Sequence, residues 1–174
     1  MAVLHRLTQG IRALGAFTQP IDDALAPRYL TPEQMTLFKR MTRSEQLHSL
    51  RVLRDVLSQD AQTPDDLAVA CLLHDVGKSR YTLNILQRSL PVILKKFAPK
   101  LEEHLSTKET LQGWRAPFEV RRHHPKWGAA MLCKTLCQKR AVWLVARHAD
   151  DLDRWRDHPH YPLLERLKHA DDRN

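Results

Sequence analysis

Histidine, aspartate and lysine gather at a few points along this 174-residue chain, and their types decide which chemistry is open to it. His48 lies in a segment patterned as a helix, His74-Asp75 follows the apolar run Leu67 to Leu73, and His123-His124 precede Pro125. His148 follows Arg147, and Asp171 lies in the last few residues. Imidazole nitrogens and carboxylate oxygens together make a mixed shell that suits a divalent transition cation. A His-Asp pair ending the most apolar helix is costly without a compensating partner, and a cation would be one. Singly, each residue says little: composition alone yields about one His-Asp dipeptide in such a chain, and a hydrogen-bonded core histidine is the commoner outcome. Cys71 sits within the same apolar helix, where a thiol is expected to be inert packing and not a nucleophile.

The elements that must position these groups carry helical periodicity throughout. Leu4, Leu7, Ile11 and Leu14 make one face of an opening helix, which either packs on the domain or serves as a homodimer surface. Thr31-Pro32-Glu33-Gln34 is a helix start, with Thr as cap, Pro in the first turn and Gln reaching back. A second helix is expected from about Ser44 to about Ser58, with Leu47, Leu50, Leu53 and Leu57 as its core stripe and His48, Val52 and Val56 beside it. Thr63-Pro64-Asp65-Asp66 repeats the start signal, and Gly77 is expected to cap the end of the helix that follows. From Ser79 to about Leu111 the pattern loosens around Pro91 and Pro99. Further helices are expected from about Pro125 to Cys137, Lys139 to about Ala149, and Pro162 to Ala170. No stretch alternates with period two for long, and only 5 Gly argue against a turn-dense β fold. The fold class is therefore all-α, a single compact helical domain.

Composition narrows the function classes. Hydrophobic residues at 43% and charged residues at 28% are ordinary for a globular protein and exclude a disordered tail. Apolar runs are broken within a few residues, so no membrane-spanning helix and no secretory signal core is expected. Cys71, Cys133 and Cys137 form no C-x-x-C pair, which points to reduced thiols and a cytoplasmic location. The net charge of +8 attracts polyanions, but the basic doublets Lys95-Lys96, Arg121-Arg122 and Lys139-Arg140 are scattered. That distribution favours a solvated helical surface, with no stable nucleic-acid partner and no membrane partner.

Taken together, the residues carry a family resemblance. Leu73-His74-Asp75-Val76-Gly77-Lys78 resembles the core motif of the HD superfamily of metal-dependent phosphohydrolases, most like its HDIG branch, with Val76 where isoleucine is usual. His48-Ser49 with Val52 resembles the family's first histidine helix, and His124-Pro125-Lys126-Trp127-Gly128-Ala129 its HPxxGA helix start. Arg147-His148 sits where a further histidine is expected, and Leu167-Lys168-His169-Ala170-Asp171 resembles the closing AD motif. The matches run in order from residue 44 to 172.

The resemblance implies an HD-type domain over residues 44–174, preceded by a helical extension over 1–43 that packs on it. It implies two divalent transition-metal ions, drawn from Mn, Fe, Co, Ni or Zn. One would be held by His48, His74, Asp75 and Asp171, the other by His124 and His148, with Asp75 bridging. Two-metal members often have a second histidine after His148, and here that place is Ala149. Pro125 favours His124 over His123 as ligand and leaves His123 for substrate.

The activity implied is hydrolysis of a nucleotide phosphodiester or phosphomonoester by a metal-bridging hydroxide. Asp75 and Lys78 are the catalytic candidates; Lys78, Arg80, Arg121, Arg122 and Arg147 are the candidate phosphate binders. Asp150 and Asp151 are expected at a solvated helix end. Substrate choice should reside in residues 79–122, where Tyr81, Lys95-Lys96, Phe97, Trp114 and Phe118 either hold a phosphate and a base or form the core and surface of an inserted helical pair, the latter being favoured for Trp114 and Phe97. The alternative is a non-catalytic HD-fold module that senses nucleotide or metal.

Overall fold

The computed structural model describes residues 24–60, 62–81, 83, 85–106, 115–135 and 138–174. The opening helix with Leu4 to Leu14, Trp114 and Cys137 lie outside the described residues. Among the described residues the fold is all-α. Its helices are α1 (Pro32–Arg40), α2 (Arg43–Gln59), α3 (Asp65–Leu73), α4 (Ile85–Phe97), α5 (Pro99–Ser106), α6 (Ala116–Cys133), α7 (Lys139–Arg147) and α8 (Tyr161–Arg173). Short 3-10 turns at Ala26–Arg28, Val76–Arg80 and Leu152–Trp155 connect or precede them.

Helix starts follow local chemistry. Thr31 and Thr42 each close a capping box, with Gln34 and Glu45 respectively reaching back to the cap's N–H. Thr63-Pro64 behaves differently from the expectation. Pro64 is the cap of α3 and makes no side-chain cap bond. The Thr63 hydroxyl instead donates to the Asp60 carbonyl and accepts from Arg166 Nη2 at 2.8 Å, tying the turn to α8.

α3 is the centre of the molecule. Every residue from Asp66 to Leu73 is buried, and α2, α7 and α8 all pack against it. Fully burying a leucine is worth roughly 1.5–3 kcal/mol, so Leu67, Leu72 and Leu73, each 0% exposed, fix this helix and the His74-Asp75 that follow it. The inward rows of its neighbours are Leu50, Leu53 and Val56 on α2, Ala141, Leu144 and Val145 on α7, and Leu164, Leu167 and Ala170 on α8. Leu57, expected in the α2 stripe, is only partly buried at its edge. Ala26, Leu30, Leu37, Phe38 and Met41 join the same core from the N-terminal side.

Two glycine and proline expectations are corrected. Gly77 does not cap α3: the helix ends at Leu73 with His74 as its cap, and Gly77 lies within the 3-10 turn. Pro125 does not open a helix but sits inside α6, which begins nine residues earlier at Ala116. A proline there removes the N–H that would reach the Arg121 carbonyl. His124 Nδ1 donates to that carbonyl at 2.9 Å, so the helix continues through the proline.

Candidate metal centre

Five helices deliver the sequence-predicted ligands to one place. His48 comes from the middle of α2, and His74 and Asp75 from the end of α3. His124 comes from the middle of α6, His148 from the cap position of α7, and Asp171 from the last turn of α8. Asp171 Oδ1 lies 2.8 Å from His48 Nε2 and 3.5 Å from His74 Nε2. The Asp75 carboxylate divides its oxygens. Oδ2 lies 3.6 Å from His74 Nε2, while Oδ1 lies 3.4 Å from His124 Nε2 and 3.7 Å from His148 Nε2. Two groups of ligand atoms result, His48 with His74 and Asp75, and Asp75 with His124 and His148, each drawn together within 4.8 Å.

Close approach of the two ligand-bearing backbones is what makes this convergence possible. A Cβ placed on Gly77 would lie 2.0 Å from the His124 carbonyl oxygen and 2.7 Å from the Gly128 nitrogen. The turn after Asp75 therefore rests directly on the α6 backbone, and Gly128 is the matching small residue on the other side. The two glycines of the sequence motifs are one contact.

Backbone carbonyls orient three of the rings. His74 Nδ1 donates to the Cys71 carbonyl at 2.9 Å, His124 Nδ1 to those of Val120 and Arg121 at 3.0 and 2.9 Å, and His148 Nδ1 to that of Val145 at 2.8 Å. An imidazole that donates from Nδ1 carries its lone pair on Nε2. This is the second hydrogen bond that metal-binding histidines normally make.

The resulting lone pairs face one another. His124 Nε2 and His148 Nε2 are 3.2 Å apart, and His74 Nε2 is buried without a hydrogen bond. At that distance the His124 and His148 nitrogens share either a proton, as a hydrogen bond, or a cation bound by both. Metal–nitrogen bonds of about 2.0–2.1 Å set adjacent ligand nitrogens about 3.0–3.4 Å apart, which matches. The donor set thus fits divalent cations on the evidence of its own geometry.

Electrostatics agree. Burial pulls the His74 imidazole down, but the Asp75 and Asp171 carboxylates reverse this and raise it to about 9. Burial, reinforced by charge on His74 and His124, pushes His148 down to about 3. Burial would raise Asp75, yet Lys78, His74 and His124 hold it well below the usual carboxylate range. Asp171 is likewise held far down, with burial outweighed by His74 and by the bond to His48. The two carboxylates therefore hold positive charge in the centre, a place that imidazole protons and Lys78 fill in the metal-free protein and that divalent cations can take over. Lys78 Nζ supplies part of that charge, 2.6 Å from Asp75 Oδ2.

Five of the six candidate ligands, His48, Asp75, His124, His148 and Asp171, line a cavity of about 760 Å³, and His74 is buried behind them. Of the proposed phosphate binders, Lys78, Arg121, Arg122 and Arg147 line the cavity, and Arg80 and His123 do not. Arg80 is exposed, with its guanidinium 4.9 Å from the Trp127 ring centroid. His123 faces Glu119 at 3.8 Å and tilts over Trp127. Asp150 accepts from Trp155 Nε1 at 3.1 Å and from Arg147 Nη1 at 3.4 Å, and Arg147 also lies 4.6 Å from the Trp155 ring centroid. Asp151 caps the turn at Leu152–Trp155.

Glu45, Arg51 and Lys168 also line the cavity and were missed in the sequence. Their spacing held a signal: each is three residues from a ligand on its own helix, Glu45 and Arg51 flanking His48, Lys168 preceding Asp171. Cys71 is fully buried and its thiol is pushed up by burial, so it is packing as expected.

A family model described as the HD domain matches residues 47–173. The chain belongs to the HD domain family, within a superfamily of metal-dependent phosphohydrolases whose domains are commonly hydrolases. No curated protein and no solved structure matches it. No described helix is long and apolar enough to cross a membrane.

Proposed function

We propose that this protein is a metal-dependent phosphohydrolase that cleaves a phosphodiester or phosphomonoester of a nucleotide, with His48, His74, Asp75, His124, His148 and Asp171 as metal ligands. One observation carries this: a single carboxylate, Asp75, shared between two nests of preset imidazole lone pairs, at the floor of a cavity large enough for a nucleotide. Bound there, paired divalent cations supply Lewis acidity toward phosphoryl oxygens and a nucleophile from water at neutral pH. The HDIG pattern is consistent with that pairing.

The chain's own side chains do the rest. Lys78 holds Asp75 in orientation, and burial, which would lower its amine, is overcome by the Asp75 carboxylate that raises it. It stays cationic at the edge of the centre, where charge on a phosphoryl group would develop. Arg121, Arg122, Lys126 and Arg147 line the walls and suit a polyanion. Asp150 and Trp155 fix the Arg147 guanidinium in place, which lessens the ordering that binding a phosphate would demand.

The test is elemental analysis of protein purified without chelator, followed by a nucleotide hydrolysis panel with Mn or Fe supplied. The double variant His74→Ala/Asp75→Ala is expected to lose metal and hydrolysis together. Full metal content and undiminished hydrolysis in that variant would refute the site. Metal-loaded wild-type protein that turns over none of the panel would make the domain a nucleotide or metal sensor.

A further inference from the structure

Phe97, expected in the core or on the surface of a helical pair, lies on its surface, and its exposure points to a docking face. Phe97 is 75% exposed, and Leu90, Ile93 and Leu101 are 39, 51 and 48% exposed. Among the described residues, every large hydrophobic side chain that is exposed falls on the α4–α5 hairpin. Leu90, Ile93 and Phe97 are spaced i, i+3 and i+7, which places them on one face of α4. Leu101 continues the stripe past the Ala98-Pro99 corner. The hairpin is seated on the domain from its other side, where Pro91 and Leu105 are buried.

Charge accompanies this stripe. From Ile85 to Leu101 the hairpin carries Arg88, Lys95, Lys96 and Lys100 and no acidic residue; Glu102 and Glu103 follow Leu101 on α5. Over the whole chain the ratio is 28 basic to 20 acidic, so the interval departs sharply from the average. Lys96 and Lys100 are exposed beside the stripe, with Lys96 Nζ 5.2 Å from the Phe97 ring centroid. Lysine is depleted at protein–protein interfaces. It flanks apolar faces that meet an anionic lipid surface, where its stem lies along the apolar boundary and its ammonium reaches a phosphate.

We infer that the α4–α5 hairpin is a docking surface for an anionic membrane. Ile93, Phe97 and Leu101 enter the acyl boundary, and Lys96 and Lys100 meet headgroup phosphates. The expectation of no membrane partner rested on basic doublets scattered along the chain and on the lack of a spanning helix; this contact needs only the local stripe with Lys96 and Lys100, and no spanning helix, because the hairpin lies in the plane of the interface. Leu83, Glu102 and Glu103, at its two ends, line the cavity. Docking therefore brings the mouth of the site beside the lipid surface.

Cosedimentation of the full chain with vesicles tests this, using phosphatidylcholine alone and an equal mixture with phosphatidylglycerol. Partition onto the anionic vesicles should be about tenfold or more stronger and should weaken as salt rises. Ile93→Glu/Phe97→Glu alters only exposed side chains, so it should keep wild-type helicity and metal content while losing about tenfold or more of the partition. Lys96→Ala/Lys100→Ala should lose roughly fivefold per lysine at low salt. The inference is overturned if wild type stays in the supernatant, if it partitions equally onto both vesicles, or if Ile93→Glu/Phe97→Glu still binds fully. A dimer in sedimentation velocity that this variant disperses, without vesicle binding by wild type, would overturn it in favour of a second copy of the chain.

Discussion

Replacing Gly77 with alanine adds one methyl group where another backbone already stands. The new Cβ would meet the His124 carbonyl oxygen at 2.0 Å, the Gly128 nitrogen at 2.7 Å and the His124 carbonyl carbon at 2.8 Å. All three atoms are backbone, so no side chain can rotate away. Clearance to 3.0 Å, below which real Cβ contacts essentially never fall, requires the turn and α6 to separate by about 1 Å. Overpacking typically costs about 1–3 kcal/mol, and an unyielding backbone puts Gly77→Ala at or above the upper end. In a chain of this size each kcal/mol lowers Tm by about 2–4 °C, so a fall of roughly 6–12 °C is expected. The same separation draws His124 away from Asp75, now 3.4 Å apart, when site geometry must hold within about 0.5 Å. Metal content should therefore fall by about half or more in any fraction that folds. Gly128→Ala is the control: its Cβ would meet the Gly77 nitrogen at 3.2 Å and methyls of Val76 and Val145 at 3.3 Å, a milder crowding that shifts of a few tenths of an ångström relieve. Thermal melts and metal content on both variants decide it. Wild-type Tm and full metal in Gly77→Ala, or an equal loss in Gly128→Ala, would refute the close-approach account.

Asp75→Asn should weaken metal binding at both nests by about 100-fold or more, while His148→Ala should leave the nest of His48, His74 and Asp171 loaded. Metal titration followed by elemental analysis distinguishes the two, and an equal effect would contradict the shared carboxylate. Lys78→Met should keep bound metal yet lower kcat roughly 100-fold, because the cation beside Asp75 Oδ2 is gone. Steady-state kinetics on the best substrate checks this. In metal-free protein, His74 is raised from 6.5 to about 9, so its stabilisation is full below pH 6.5 and lost as pH climbs to 9. His148 is lowered from 6.5 to about 3, so its stabilisation is full above pH 6.5 and lost as pH falls toward 3. Stability in chelator should therefore peak near pH 6.5, and saturating metal should remove the alkaline decline; denaturant midpoints against pH would show otherwise if they rise steadily from 6 to 9.

Much of the fold was visible in the chain because its capping boxes and apolar stripes are local. Thr31 with Gln34, Thr42 with Glu45, and the buried run ending at Leu73 each act within one or two turns. The candidate ligands were visible for a different reason: six residues recurred in a known order. What sequence spacing misplaced depended on contacts between distant segments. Gly77 looked like a helix cap because glycine ends helices, whereas its role is set by the α6 backbone resting against it. Pro125 looked like a helix start because proline lacks an N–H, and only the His124 ring, satisfying the stranded Arg121 carbonyl, permits it within α6. Arg80 and Arg147 stood equally near a motif, yet one lies over Trp127 outside the cavity and the other is held in its wall. Residue type could assign Phe97 to a helical pair but not to its core or its surface, because that depends on which side of the hairpin meets the domain.

The ring-to-carbonyl bonds of His74, His124 and His148 have a further result for how an ion leaves. Each partner carbonyl belongs to the same helical stretch three or four positions earlier, so ring rotation requires that turn to loosen first. If the centre holds ions as proposed, their release would require these ring-to-carbonyl bonds to break at the ends of α3 and α7 and beside the proline of α6. Exchange with solution should be slow and steeply temperature-dependent, tracking amide protection in those turns.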